Sequence, residues 1–151
     1  MIFREATIHD LPILLEFEQG VVSAERPFNL TLTEGEIHYY DLNSLMESPD
    51  SVLMVAEENG EVFASGYATI KNKEKPYYNF EQYAYLGFMF VKPEYRGKGI
   101  NQLILEHLTE WCKTKGISEV RLEVYDRNES AVRAYEKAGF EPLLLSMRRK
   151  I

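Results

Sequence analysis

The chain has 151 residues, 45% of them hydrophobic and 27% charged, and a formal net charge of -7 at pH 7. This length suits one domain, here residues 1–151, able to bury a sizeable core, and the negative balance argues against nucleic acid as a partner, since that binding rests on clustered Lys and Arg. The single cysteine, Cys112, excludes an internal disulfide and a Cys-rich metal centre; with His9, His38 and His107 scattered without ligand spacing, no metal is expected.

Arg4, Glu5 and Asp10 stand where a signal peptide needs an apolar stretch, and no apolar run approaches the roughly 20 residues of a membrane span. The expectation is a cytoplasmic protein with no membrane partner. Residues 2–6 read as a first strand, and Asp10 is placed to cap a first helix, with Pro12 in its first turn, that runs to about Gly20. A second helix is predicted from about Thr33 to Met46, with Ile37, Tyr40 and Leu45 inward and Ser48-Pro49-Asp50 as its breaker. Two β-rich runs flank Asn59-Gly60, a strong hairpin signal. A polar turn at 71–79 leads to "QYAYLGFMFV", residues 82–91, whose near-continuous apolar character predicts a central fourth strand covered on both faces.

After that strand comes "KPEYRGKGINQLILEHL", residues 92–108. Ile100, Leu103, Ile104, Leu108, Trp111 and Cys112 recur at helical spacing, so Gly97 and Gly99 fall at the helix N-terminus. A helix start carries unpaired N–H groups and partial positive charge, and glycines let an anion reach that backbone. The stretch reads as an anion cradle. It is not a P-loop, because no Ser or Thr follows Lys98, and the third glycine of a dinucleotide fingerprint is missing where Asn101 and Gln102 stand. Further on, "SEVRLEVY" alternates as a fifth strand, Asn128 is placed to cap a short helix carrying Ala131 and Tyr135, and 140–151 read as one or two closing strands. Strands and helices thus mix in one α/β (α+β) layer structure.

The cradle after an apolar strand, followed by "NESAVRAYEKAGF" at 128–140, resembles the GNAT superfamily of acyl-CoA-dependent N-acetyltransferases. The resemblance implies a mostly antiparallel sheet splayed between strands four and five with flanking helices. It implies acetyl-CoA as acetyl donor, an amine of a small molecule or protein as acceptor, and direct transfer in a ternary complex. Met89, Phe90 and Val91 would offer backbone groups to the pantetheine arm, the Val91 N–H polarising the thioester carbonyl. Arg96, Gly97, Lys98, Gly99, Ile100 and Asn101 would hold the pyrophosphate, with Asn101 departing from the family's small residue. Tyr135 would protonate the leaving thiolate, and Asn128 and Ala131 would touch the cofactor. Two of these residues have plain structural alternatives: Tyr135 as helix packing and Asn128 as a cap.

Acetylation needs a neutral amine, and an ordinary ammonium with pKa about 10.4 must lose its proton first. Glu81, ahead of the fourth strand, is the first candidate base, with Glu123 and Tyr85 as others. Cys112, on the apolar stripe of the long helix, reads as a buried structural thiol. The aromatic stretch Tyr77 to Tyr85 suits strand propensity, an acceptor pocket or a homodimer edge. A non-catalytic acyl-CoA-binding regulatory domain and a protein-interaction module are the rival functions.

Overall fold

The computed structural model describes residues 1–151 as one five-stranded mixed sheet in the order β1-β2-β3-β4-β5, with helices on both faces. β1 (Ile2–Glu5), β2 (Ser51–Glu58), β3 (Glu61–Asn72) and β4 (Gln82–Val91) are antiparallel neighbours; β5 (Val120–Leu122) runs parallel to β4. This is the mixed α/β architecture expected from the sequence. No helix is long and apolar enough to cross a membrane.

Local chemistry explains the elements that match expectation. Asn59 and Gly60 both adopt positive φ, 51° and 77°, the backbone a two-residue turn needs to follow the twist of the β2–β3 hairpin. β4 is central, and its alternate side chains feed two cores. Ala84 and Leu86 join Ile104, Leu105, Leu108 and Cys112 of α3 (Ile100–Thr114) beneath the sheet. Tyr85 and Phe88 join Leu14 and Phe17 of α1 (Leu11–Glu25) above it. The parity switches at Phe88, whose φ is +57° and where the β3–β4 register slips between Ser65 and Tyr67. A buried hydrogen bond from Ser65 Oγ to the Phe88 carbonyl, 3.0 Å, anchors this bulge.

Four expectations are corrected. α1 does not stop near Gly20 but runs to Glu25, because Gly20 gives the Phe90 ring room to lie on the helix: a Cβ there would come within 2.5 Å of that ring. Asp10 does not cap α1 through its side chain; its carboxylate accepts two bonds from Arg4, at 2.8 and 2.9 Å, and one from Thr7 N–H. That pairing with Arg4 holds the Asp10 carboxyl below its ordinary pKa.

The helix expected over 33–46 is only α2 (Leu42–Glu47). Glu18, fully buried on α1, accepts the backbone N–H groups of Tyr39 and Tyr40, both at 2.9 Å, and holds that segment out of helix. Asp41 then caps the short helix through Ser44 N–H. Finally, α4 (Glu129–Lys137) is followed by no closing strand: residues 140–151 are unpaired.

Candidate active site

The groove begins where β4 hands over to α3. Gly97 and Gly99 both have φ of +76°, which L side chains rarely adopt, and a Cβ on either would meet nothing within 4 Å. The backbone N–H groups of Gly97 to Gln102 make no backbone hydrogen bond, because the helix ladder opens only with Leu103 N–H to the Gly99 carbonyl. Val91, Tyr95, Arg96, Ile100, Asn101, Gln102, Ala134 and Lys137 complete a depression of about 240 Å³ around them. Its charged side chains, Arg96 and Lys137, are both cations. Unpaired N–H groups, a 15-residue helix and two cations suit a pyrophosphate.

Side chains lock the cradle to its neighbours. Arg96 Nε donates to the Val91 carbonyl at 2.9 Å, fixing the loop to the end of β4. Gln102 Nε2 donates to the Ala134 carbonyl at 2.9 Å, tying the first turn of α3 to α4. Asn128 Oδ1 accepts from Ala131 N–H at the head of α4.

Next to the cradle, the strands part. β4 and β5 pair only at Ala84–Val120, Tyr85–Arg121 and Leu86–Leu122. The Phe88 bulge redirects β4 just beyond, so β5 ends at Leu122, short of the expected Tyr125. Into the opening fall Met89, Phe90 and Val91 on one side and Glu123, Val124 and Tyr125 on the other, forming a cleft of about 270 Å³. Gly20, Val21, Ala24 and Glu25 of α1 cover it, and Asn128, Ala131 and Tyr135 close its far wall. Val91, Arg96 and Asn101 border both the cleft and the cradle, so the two form one groove.

Tyr135 is packed edge-on against Phe140, ring centroids 6.0 Å apart. Burial, aided by the field of Glu25, pushes its phenol up to about 12, so it stays protonated at neutral pH. Glu25 is itself pushed up by burial, offset in part by the approach of the Tyr39 hydroxyl. That approach falls short of a bond: Tyr39 Oη is buried without a hydrogen-bond partner. No ion pair of the chain involves Glu25 or Glu123. Tyr85 lies in the field of both carboxylates, burial being the larger reason that its phenol is raised. Tyr67 is pushed up to about 12 by burial and then by Glu123.

Of the residues singled out in the sequence, Met89, Phe90, Val91, Arg96, Gly97, Gly99, Ile100, Asn101, Asn128, Ala131 and Tyr135 all border the groove. Ile100 reaches it through its backbone, its side chain being 3% exposed in the core. Lys98 does not line either part; its ammonium lies 5.4 Å from the Tyr95 ring centroid. Glu81 is corrected outright. It precedes β4 at the end away from Val91, is 87% exposed, and pairs with Lys73 at 2.9 Å. Glu123 does line the cleft. Glu25 was not picked out, because on the sequence it is one more acid near the end of a helix; only the packing of α1 over the splay reveals it.

A model of the acetyltransferase (GNAT) family matches residues 20–140. Thialysine N-epsilon-acetyltransferase of Bos taurus is 42% identical over 59 residues, 39% of this chain and 35% of that protein. The chain thus spans about a third of the length of the curated relatives it matches. In structure, a tetramutant protein of Bacillus halodurans shares the fold at a TM-score of 0.89 and 22% identity, over 100% of both chains. A predicted acetyltransferase of Clostridium acetobutylicum, solved with acetyl-CoA, shares it at a TM-score of 0.76 and 22% identity, over 97% of this chain and 95% of that one. The family match runs from within α1 through the cradle, the splay and α4, and the chain belongs to the acetyltransferase (GNAT) family.

Proposed function

We propose that the protein is an N-acetyltransferase that moves an acetyl group from acetyl-CoA directly to a primary amine, with both substrates bound together. The observation that carries this reading is the continuity of one groove: unpaired N–H groups at Gly97–Gln102, opened strands at Met89–Val91, and Tyr135 facing the same cleft as Glu25. The cradle would hold the pyrophosphate, and the splayed edge of β4 would run beside the pantetheine arm. Acetyl-CoA supplies the activated acyl carbon; the protein's residues orient it and handle protons.

Glu25 accepts a proton from the incoming ammonium and passes it to solvent, a task aided by burial, which raises the carboxyl pKa. The free amine nitrogen then attacks the thioester carbonyl carbon. The C–N bond forms, the C–S bond breaks, and the sulfur takes the proton of the Tyr135 hydroxyl. The proton shed by the nitrogen as it becomes an amide returns through solvent to Tyr135. Burial raises the Tyr135 phenol, and the same apolar walls disfavour a bare thiolate, so acid and leaving group shift together.

The acceptor end favours a cationic amine. Two carboxylates without ion-pair partners, Glu25 and Glu123, sit there among Tyr125 and Tyr135, and negative charge concentrates cations. The thialysine that gives the bovine relative its name is therefore a sensible first acceptor.

Calorimetric titration with acetyl-CoA, followed by thiol release across a panel of amines, tests the reading. Binding with release for at least one amine is expected. Binding with no release would favour a regulatory acyl-CoA-binding domain, and no binding would reduce the cradle to a turn.

A further inference from the structure

Tyr39 Oη is the single buried side-chain polar atom of the chain that has no hydrogen-bond partner. Folded proteins satisfy nearly all such groups, so an orphan of this kind calls for a reason. Its surroundings are firmly built. The N–H groups of Tyr39 and Tyr40 both donate to the fully buried Glu18 carboxylate at 2.9 Å. The Tyr39 ring meets the Tyr40 ring edge-on, centroids 5.7 Å apart, and the Tyr40 ring packs at 4.6 Å on Phe88, the residue of the bulge that opens the sheet. Packing and backbone bonds therefore set where the hydroxyl lies, and no bond of its own does.

That place is beside Glu25. Glu18 and Glu25 are seven residues apart on α1, two helical turns, which puts them on one face and about 10 Å apart along the axis. Tyr39 runs between them, its N–H on the first carboxylate and its hydroxyl approaching the second. No ion pair of the chain involves Glu25. Arg26, the next residue, spends its guanidinium on the Thr33 and Gly35 carbonyls. The remaining titratable neighbours are acids and phenols: Glu123, Tyr125 and Tyr135 line the same cleft, and Tyr40 and Tyr85 lie in the field of Glu25. Of these, the Tyr125 hydroxyl already accepts from Asn29 Nδ2 at 2.8 Å. Burial raises the Glu25 carboxyl, and the approach of the Tyr39 hydroxyl pulls the other way. The Tyr39 phenol is pushed up to about 12, by burial first and the Glu25 field next, so it keeps its proton at neutral pH.

We propose, building on Glu25 as the base, that Tyr39 is its positioning residue: the hydroxyl donates to one carboxylate oxygen whenever Glu25 is ionised and turns the other oxygen toward the acceptor amine. A half-buried carboxylate with no donor is pressed toward its protonated form, in which it cannot take a proton; a bond to the charged form keeps it ionised. A neutral donor does this without the cation that would repel a cationic acceptor. The Tyr39 proton stays on its oxygen throughout. The ammonium proton passes to the free oxygen of Glu25 and from there to solvent.

NMR titration of the chain with ¹³C-labelled glutamate carboxyls reads Glu25 directly, its signal assigned by its loss in Glu25→Gln, and needs neither acetyl-CoA nor an acceptor. In Tyr39→Phe, which keeps the ring on Tyr40, the Glu25 midpoint is expected to move to higher pH. With 3-fluorotyrosine at position 39, a more acidic phenol and a stronger donor in a nearly unchanged shape, it is expected to move to lower pH. A midpoint that stays in place in both proteins overturns the proposal, whatever the activity. With an amine that the native protein acetylates, kcat/KM of Tyr39→Phe relative to native is expected to fall about tenfold further on the acid side than at high pH, the worth of one hydrogen bond to a charged group. A midpoint that moves while the acid limb of the rate stays, or a protein that acetylates no amine, removes Glu25 as the base and the positioning role with it. Failure of the proposal alone is an unmoved midpoint in a protein whose acid limb still depends on Glu25.

Discussion

Gly20 of α1 lies directly against the ring of Phe90, whose Cε2 would be 2.5 Å from a Cβ at that position. The same ring stacks on Phe17 at 4.6 Å, so α1 crosses β4 at the place where the sheet opens. Gly20→Val is expected to lower stability by about 1–3 kcal/mol through overpacking, more than helix propensity returns. A urea midpoint equal to the native one would show that the ring swings aside freely.

At the cradle, Gly99→Glu brings a carboxylate and a strained φ to the site proposed for pyrophosphate. Acetyl-CoA binding is expected to weaken by at least about 100-fold, roughly 3 kcal/mol, with strain costing about 1 kcal/mol of stability. Calorimetry beside a thermal melt separates the two effects. Native affinity in a folded variant would remove the phosphate assignment.

For Tyr135, the acid role and the packing role part company in Tyr135→Phe, which keeps the ring against Phe140. A fall in kcat of about 10²–10⁴ with little change in acetyl-CoA affinity is expected of a lost proton donor. Equal rates would leave Tyr135 as packing alone.

Glu25 gives a signed pH prediction. Its folded pKa is raised by burial, so the carboxylate is costly at neutral pH and the cost is relieved as pH falls through the raised value. Glu25→Gln should therefore raise the melting temperature at neutral pH, and the gain should shrink in acid. In activity, the native kcat/KM should fall as pH drops through that same value, and the variant should lose both rate and that acid limb. A variant with native rate and profile would exclude Glu25 as the base.

Glu18 holds the segment before α2 through the Tyr39 and Tyr40 N–H groups. Removing the carboxylate in Glu18→Ala strands two donors, each worth about 1–3 kcal/mol when buried and unpaired. A loss of roughly 3 kcal/mol in chemical denaturation is expected. His38, bonded to Glu18 at 2.8 Å, is raised by that bond, so its share of the stability is present in acid and fades as pH rises through its raised pKa.

Much of the site was legible because its signals are local. "YRGKGIN" announces itself through glycines at a helix start, and Asn128 through the capping position it occupies. Glu81 and Glu25 show the opposite case. Both are acids beside an apolar element, yet one faces Lys73 in solvent and the other a cleft beside Tyr135. Nothing within a few residues of either distinguishes them, since the difference lies in which element packs over the end of β4.

The sequence by itself determined the β2–β3 hairpin, the central strand, the two later helices and the cradle, all set by contacts within a few residues and by apolar period. Tertiary structure decided the rest. Gly20 leaves the space that Phe90 fills, residues 39–40 stay out of helix because the buried Glu18 carboxylate, 21 and 22 positions away, takes their N–H groups, and β4 parts from β5 because Phe88 bulges. Each is a long-range contact whose energy outweighs the local preference it overrides, and the groove exists only where those contacts meet.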